Sequence, residues 1–320
     1  MNVTGPGAVS ASPHWPWIAA QVVVWALLFL AMAAARQQLE AWLLSRFHRR
    51  DPERVTASML WSTWFARPSV AQVISLLAGL LAGAAIPLLP QFQLQSWSVS
   101  LSPLSSFSVG VLYVLVMDWF GIGLLAGATP GYPPQRNAVG QDAISTHLLA
   151  AVPAMLIVLS LVVTAGKLQP WHAGTLNLST MPDLQGGWAG LRWLAVLQPL
   201  ACVLWMICAA PRAPDPSQRA TLAWQVHALN RVLLTTVLFA GGWQGPLVDR
   251  CPVLGLLYTA AKGALITFVW VLVSASRPIP GLMSGSRPAW RLYTSLAGLN
   301  LLVTALLATV QAPLSGLRLP

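Results

Sequence analysis

The sequence predicts an all-α, polytopic membrane protein with about eight transmembrane helices. Three observations predict it. Of 320 residues, 56% are hydrophobic and only 8% are charged, with a mean hydropathy of +0.65. A water-soluble domain carries about 25% charged residues, so there is too little polar side chain here to cover a wetted surface. The apolar residues gather into stretches near the ~20 residues that a helix needs to cross about 30 Å of hydrocarbon. The 18 basic residues, against 8 acidic ones, fall between those stretches instead of forming a stripe or patch, so a net charge of +10 does not point to nucleic acid.

The whole chain, 1–320, reads as one integral membrane domain. Spans are expected near 17–35, 70–90, 107–128, 145–165, 190–210, 224–243, 253–275 and 291–311. The sixth is the least apolar, because Gln225, His227, Asn230 and Arg231 occupy its first half. Arginine placement sets the orientation. Loops one, three, five and seven hold twelve arginines (36, 46, 49, 50, 54, 67, 136, 212, 219, 277, 287 and 291). The other side holds four basic residues, Lys167, Arg192, Arg250 and Arg318, so both termini are expected outside. Residues 1–16 contain no Lys or Arg, so no cleavable signal peptide is expected and the mature chain is taken to start at or near Met1.

Loop one is too long for a simple turn. Within 37–50, Leu39, Trp42, Leu43 and Phe47 share one face, which predicts an interfacial helix on the cytoplasmic surface; a solvated linker is the alternative. Trp15, Trp17, Trp61, Trp64, Trp97, Trp171 and Trp188 fall near span ends, as an interfacial aromatic belt does. Gly79–Gly83 and Gly123–Gly127 are small-xxx-small pairs, which suggest packing against neighbouring subunits.

Ionisable side chains within spans cost at least ~2.5 kcal/mol each on insertion scales, so each needs a partner or a use. The set is Asp118, His147, His227, Arg231 and Lys262. Asp118 has two readings: a proton relay towards His147, or an ion pair with Lys262 or Arg231 across a helix interface. His227 reads as a hydrogen-bonded packing residue. Cys202, Cys208 and Cys251 lack the number and spacing of a disulfide frame or a metal site and read as inert buried thiols. No dinucleotide fingerprint, phosphate loop, iron–sulfur cysteine cluster or His-Glu-x-x-His is present, and inverted repeats are not evident.

Specific words then matter. The C-terminal third holds Leu-Phe-Ala-Gly-Gly-Trp-Gln-Gly-Pro at 238–246, a span carrying Lys262, the stretch 268–283 (FVWVLVSASRPIPGLM), Trp290-Arg291 and Leu299-Asn300. Upstream lie Arg49-Arg50-Asp51-Pro52-Glu53-Arg54-Val55, the stretch 136–145 (RNAVGQDAIS) and Arg212-Ala213-Pro214. In that order and on those loops, the words resemble a membrane component of respiratory complex I, numbered 1 in mitochondria and called the H-type subunit in bacteria, together with related membrane components of hydrogenases.

The resemblance implies a bacterial inner-membrane subunit, with both termini periplasmic, that joins a peripheral electron-transfer arm to the membrane arm of an NADH-quinone oxidoreductase-like assembly. Its partners would be other membrane and peripheral subunits and lipids. Quinone would be the shared substrate, with no bound metal or flavin and no catalytic residue of its own. The family's quinone tunnel maps onto Arg36, Trp42, Arg46 and Phe47, for which plain lipid contact is the competing reading. The chain also departs from the family: Thr146-His147 stands where the family has Tyr-Glu, Ala209 stands where it has glutamate, and the acidic loop after Arg-Ala-Pro shrinks to 215–219. These departures imply a reduced or lost proton path. A stand-alone transporter or scaffold reusing the fold is the alternative.

Overall fold

The computed structural model describes residues 15–47, 68–90, 92–94, 97–99, 102–104, 109–127, 151–165, 177–185, 194–210, 221–275 and 287–311. Helix α1 runs Trp15–Phe47. At about 1.5 Å per residue its 33 residues extend about 50 Å, well beyond the hydrocarbon layer. It does not break before the expected interfacial segment: the first span and residues 37–47 form one helix, and 48–50 lie outside the described residues. The cause is local. Pro16 sits in the first turn, no other Pro or Gly occurs, and Ala33-Ala34-Ala35 leads into Arg, Gln, Leu and Glu, all good helix formers.

Helix α2, Val70–Ala84, begins with a capping box in which the Ser69 hydroxyl accepts from the Gln72 amide and the Gln72 side chain accepts from the Ser69 amide. The span expected to reach residue 90 stops at Ala84, and 85–89 follow as a buried turn. A small antiparallel hairpin, Phe92–Leu94 with Trp97–Val99, is an addition to the all-α expectation. Helix α3 is Gly110–Gly127 and α4 covers Ala151–Ala165. Single helical turns occur at Met181–Leu184 and Leu194–Leu197.

The fifth expected span, 190–210, is discontinuous: the turn ending at Leu197 is separated from α5, Pro199–Cys208, by Gln198 at φ −129 and ψ 61. Proline lacks the amide that would continue the ladder and drives the preceding residue out of the helical region. Helices α6 (Leu222–Phe239), α7 (Leu254–Ala275) and α8 (Arg287–Gln311) complete the bundle.

All eighteen residues of α6 are buried. It is the central helix, packed against α1, α2, α3 and α7. The outer surface is apolar instead: Val22, Val23, Val24 and Leu27 on α1, Leu257 and Leu265 on α7, and Leu302, Leu306 and Leu307 on α8 are exposed. A polar centre inside an apolar shell is the pattern of a membrane protein. Among the described residues, Ile18–Phe47, Leu254–Leu272 and Arg291–Thr309 are long and apolar enough to cross a bilayer, and Val70–Ala84, Gly110–Leu125, Ala151–Ala165 and Pro199–Cys208 are shorter apolar helices. The weaker hydropathy of the sixth stretch follows from its position, since a helix enclosed by other helices needs no lipid-facing side.

Candidate functional site

Three polar centres radiate from α6. The first lies between α2, α3 and α6. Asp118, with 3% exposure, sits mid-way along α3 and accepts at Oδ2 from the Arg231 Nε, 2.8 Å away. Its Oδ1 lies 2.7 Å from the His227 Nδ1. His227 and Arg231 stand four residues apart on α6, so both reach the same carboxylate from successive turns. The His227 Nε2 lies 3.0 Å from both the carbonyl and the hydroxyl oxygen of Ser75 on α2, and that hydroxyl donates to the Gly121 carbonyl at 2.8 Å. Arg231 also reaches the Ala210 carbonyl at 3.5 Å, at the end of α5.

Glycine makes this closeness possible. A Cβ on Gly121 would stand 2.3 Å from the imidazole Cε1 and Nε2, and one on Gly79 would stand 2.7 Å from Val226. A Cβ on Gly83 would meet the Phe29 ring at 2.5 Å and the Asn230 Oδ1 at 2.9 Å. Gly79–Gly83 therefore serves packing within the chain, against α6 and α1, and not against a neighbouring subunit. Gly123 has nothing within 4 Å of its built Cβ. Lipid tails are as apolar as leucine, so close backbone approach and interhelical hydrogen bonds carry much of the association.

Hydroxyl, imidazole and carboxylate in series are also the parts of a hydrolytic triad. This one cannot hydrolyse: Ser75 and His227 are fully buried, the Ser75 hydroxyl gives its hydrogen to Gly121, and the glycine backbones close against the ring.

The second centre lies between α1, α6 and α7. Arg36 is buried, donates to the Gln225 Oε1 and pairs with Glu40 at 3.0 Å, one turn further along α1. It lines a cavity of ≈ 110 Å³ with Met32, Ala35 and Leu39 from α1, Leu229, Val232 and Leu233 from α6, and Ala260, Gly263, Ala264 and Thr267 from α7. Of the four positions tied to quinone by resemblance, only Arg36 lines it. Trp42 and Phe47 are exposed, and the Arg46 guanidinium stacks over the Trp42 ring at 5.7 Å on the outer face of α1.

Lys262 forms the third centre. Its Nζ donates to the carbonyls of Gly242 (3.0 Å) and Gln244 (2.6 Å), so it holds the Gly-Gly-Trp loop and is not the partner of Asp118. Gly241 and Gly242 have φ of +70 and +52, conformations that favour glycine, and Gln185 accepts from the Gly241 amide at 3.2 Å. Asn300 is buried in a neutral network: it donates to Ser160 and Gln198, and Gln198 donates to Thr164 and Thr304.

His147, the 136–145 and 212–214 words, the 211–220 loop and the seven belt tryptophans lie outside the residues whose side chains are described. Ala209 caps α5 and is buried. Cys208 is buried and Cys202 half-buried, but Cys251 is exposed, because it falls in the loop between α6 and α7 and not in a span. Ser75, Glu40, Gly121 and Gln198 are neighbours of these centres that sequence reasoning did not single out, whereas Gln225 was noted only for lowering the hydropathy of the sixth stretch. Only Gln198 carried a signal, as a polar residue directly before a proline inside an apolar run.

No family model matches the chain. It is similar to the H-type subunit (number 2) of the NADH-quinone oxidoreductase of Cereibacter sphaeroides, 27% identical over 253 residues, covering 72% of this chain and 74% of that protein. The chain is similar to further H-type subunits. The one from Anoxybacillus flavithermus is 24% identical over 227 residues, 63% of this chain and 64% of its own. That of Geobacter sulfurreducens (number 1) is 23% identical over 280 residues, 76% and 75%. In this chain, the Gly-Gly-Trp word, the following lysine and the Asn of the last helix are joined to the bundle by hydrogen bonds, which gives those words a structural reason.

Proposed function

We propose that this protein is a bacterial membrane subunit of a complex I-like respiratory assembly, one that connects a peripheral electron-transfer arm to the membrane arm and contributes to a quinone site. The similarity to H-type subunits of NADH-quinone oxidoreductase over about three quarters of the chain carries this reading. The spans cross the membrane eight times with both termini on the periplasmic side. The α1–α6–α7 cavity, apolar apart from Arg36 and Thr267, is the part of the chain that receives a quinone's apolar portion, with Arg36 at its polar edge. The wider pocket is shared with neighbouring subunits, and Trp42, Arg46 and Phe47 face lipid and its headgroups.

The family's acidic route is reduced, given Ala209, His147 and the short 211–223 segment. The chain therefore acts as scaffold and quinone wall more than as a proton conductor, and His147→Ala should leave any proton movement by the assembly intact.

Extraction in mild detergent tests the assignment. The expected result is co-purification with several membrane and peripheral partners; a lone monomer or homodimer would support the stand-alone transporter or scaffold instead. Ala264→Phe, which fills the cavity, should lower quinone-linked turnover in the purified assembly while its composition stays the same.

A further inference from the structure

We propose that the Ser75–His227–Asp118 line is a proton-binding site of the membrane domain, and that the Ser75 hydroxyl is the moving part that reports its occupancy to the contact between α2 and α3. Donor and acceptor accounting carries the inference. The carbonyls of Ser75 and Gly121 can only accept hydrogen bonds. With the Ser75 hydroxyl hydrogen on the Gly121 carbonyl at 2.8 Å, that hydroxyl faces the His227 Nε2 as an acceptor, as does the Ser75 carbonyl, both at 3.0 Å. Nε2 therefore carries a hydrogen in this arrangement. On the other side of the ring, one hydrogen lies on the 2.7 Å line between Nδ1 and the Asp118 Oδ1, while Arg231 occupies Oδ2.

When Nε2 gives up its hydrogen, it becomes an acceptor facing a carbonyl and a hydroxyl. Only the hydroxyl can then supply a hydrogen, so Ser75 must turn from Gly121 to His227. The ring has little room to tilt, because Gly121 packs against it too closely for even a methyl group and a Cβ on Gly79 would stand 3.1 Å from its Cε1. A rotation about one bond is the cheaper adjustment, and it removes the Ser75 bond from the Gly121 carbonyl. Protonation of an α6 side chain thus changes a hydrogen bond joining α2 to α3.

The charged surroundings are few. Asp118 on α3 and Arg231 on α6 face the imidazole directly, and α2 carries no ionisable side chain between Val70 and Ala84. The Arg36–Glu40 pair of α1 meets α6 at Gln225, two residues from His227, and Lys262 of α7 is bound to loop carbonyls. Gain or loss of one proton is accordingly a full unit of charge within a small buried group, at a place where the family resemblance supplies no acidic route.

Solid-state NMR of the full-length protein in phospholipid bilayers tests the proposal. The pair Gly121-Ile122 is the only Gly-Ile in the sequence, so ¹³C-carbonyl glycine with ¹⁵N-isoleucine isolates the Gly121 carbonyl. The imidazole nitrogens are followed with ¹⁵N-histidine and assigned by their loss in His227→Gln. The expected result is that, as pH is varied while the protein stays folded, the His227 nitrogens change protonation and the Gly121 carbonyl resonance shifts with them. Ser75→Ala should abolish the carbonyl's response while the nitrogens still change. Nitrogens that do not respond to pH, or that respond while the Gly121 carbonyl of the parent protein stays fixed, would overturn it, and the parent measurement stands even where Ser75→Ala does not fold.

Discussion

Asp118 shows how far a single residue can be read. One carboxylate in an apolar stretch, with two basic residues elsewhere in spans, made an ion pair the economical arrangement, and Arg231 is the partner the structure supplies. Lys262 was an equal candidate by composition, but its ammonium is taken by the Gly242 and Gln244 carbonyls, which no spacing rule announces. Ser75 was illegible for a different reason: a serine in a run of Leu, Ile and Ala carries no signal until the helix facing it is known. Asp118→Asn would leave the Arg231 cation buried without its counter-charge, a loss on the order of 3–5 kcal/mol for a fully buried pair. The expected outcome is reduced folding or assembly after detergent extraction. Normal assembly with lost quinone-linked turnover would instead make Asp118 a relay.

At the scale of elements, helix type and order were legible while breaks and joins were not. Proline at the first position of α5 has an evident local effect, yet an apolar run with Pro199 inside still reads as one span when only hydropathy is considered. Conversely, the change from apolar to amphipathic sequence near Arg36 suggested a new helix, although the backbone of α1 has no residue that would interrupt it. The glycines of α3 give a contrast within one helix. Gly121→Ala forces a methyl onto the imidazole and should lower stability by about 1–3 kcal/mol, as overpacking does. Gly123→Ala meets nothing within 4 Å and should be neutral or stabilising by up to ~1 kcal/mol, through helix propensity alone. Thermal denaturation of the two variants in the same detergent measures the difference. Asn300→Leu removes the donor to Ser160 and Gln198 and should loosen α8 from α4 by about 1–3 kcal/mol, read as a lower midpoint in the same assay.

For the whole molecule, the inverted distribution of polarity and the loop charges lead to one statement about orientation that can be tested with the protein's own chemistry. In the proposed orientation, in which the odd-numbered connections between the eight expected spans hold twelve arginines against four basic residues on the other side, the α6–α7 loop lies outside. That loop carries Cys251, which is exposed, whereas Cys202 is half-buried and Cys208 buried on α5. Exposure governs access by a bulky charged reagent, so a membrane-impermeant maleimide separates the three thiols without engineering them. Applied to intact spheroplasts, it should label Cys251, and Cys251→Ser should abolish the signal. Asp215→Cys, on the loop assigned to the cytoplasm, should react only in inverted vesicles or after permeabilisation. Labelling of residue 215 from the outside would reverse the topology, and it would also place the loop that departs most from the H-type pattern on the face away from any peripheral arm.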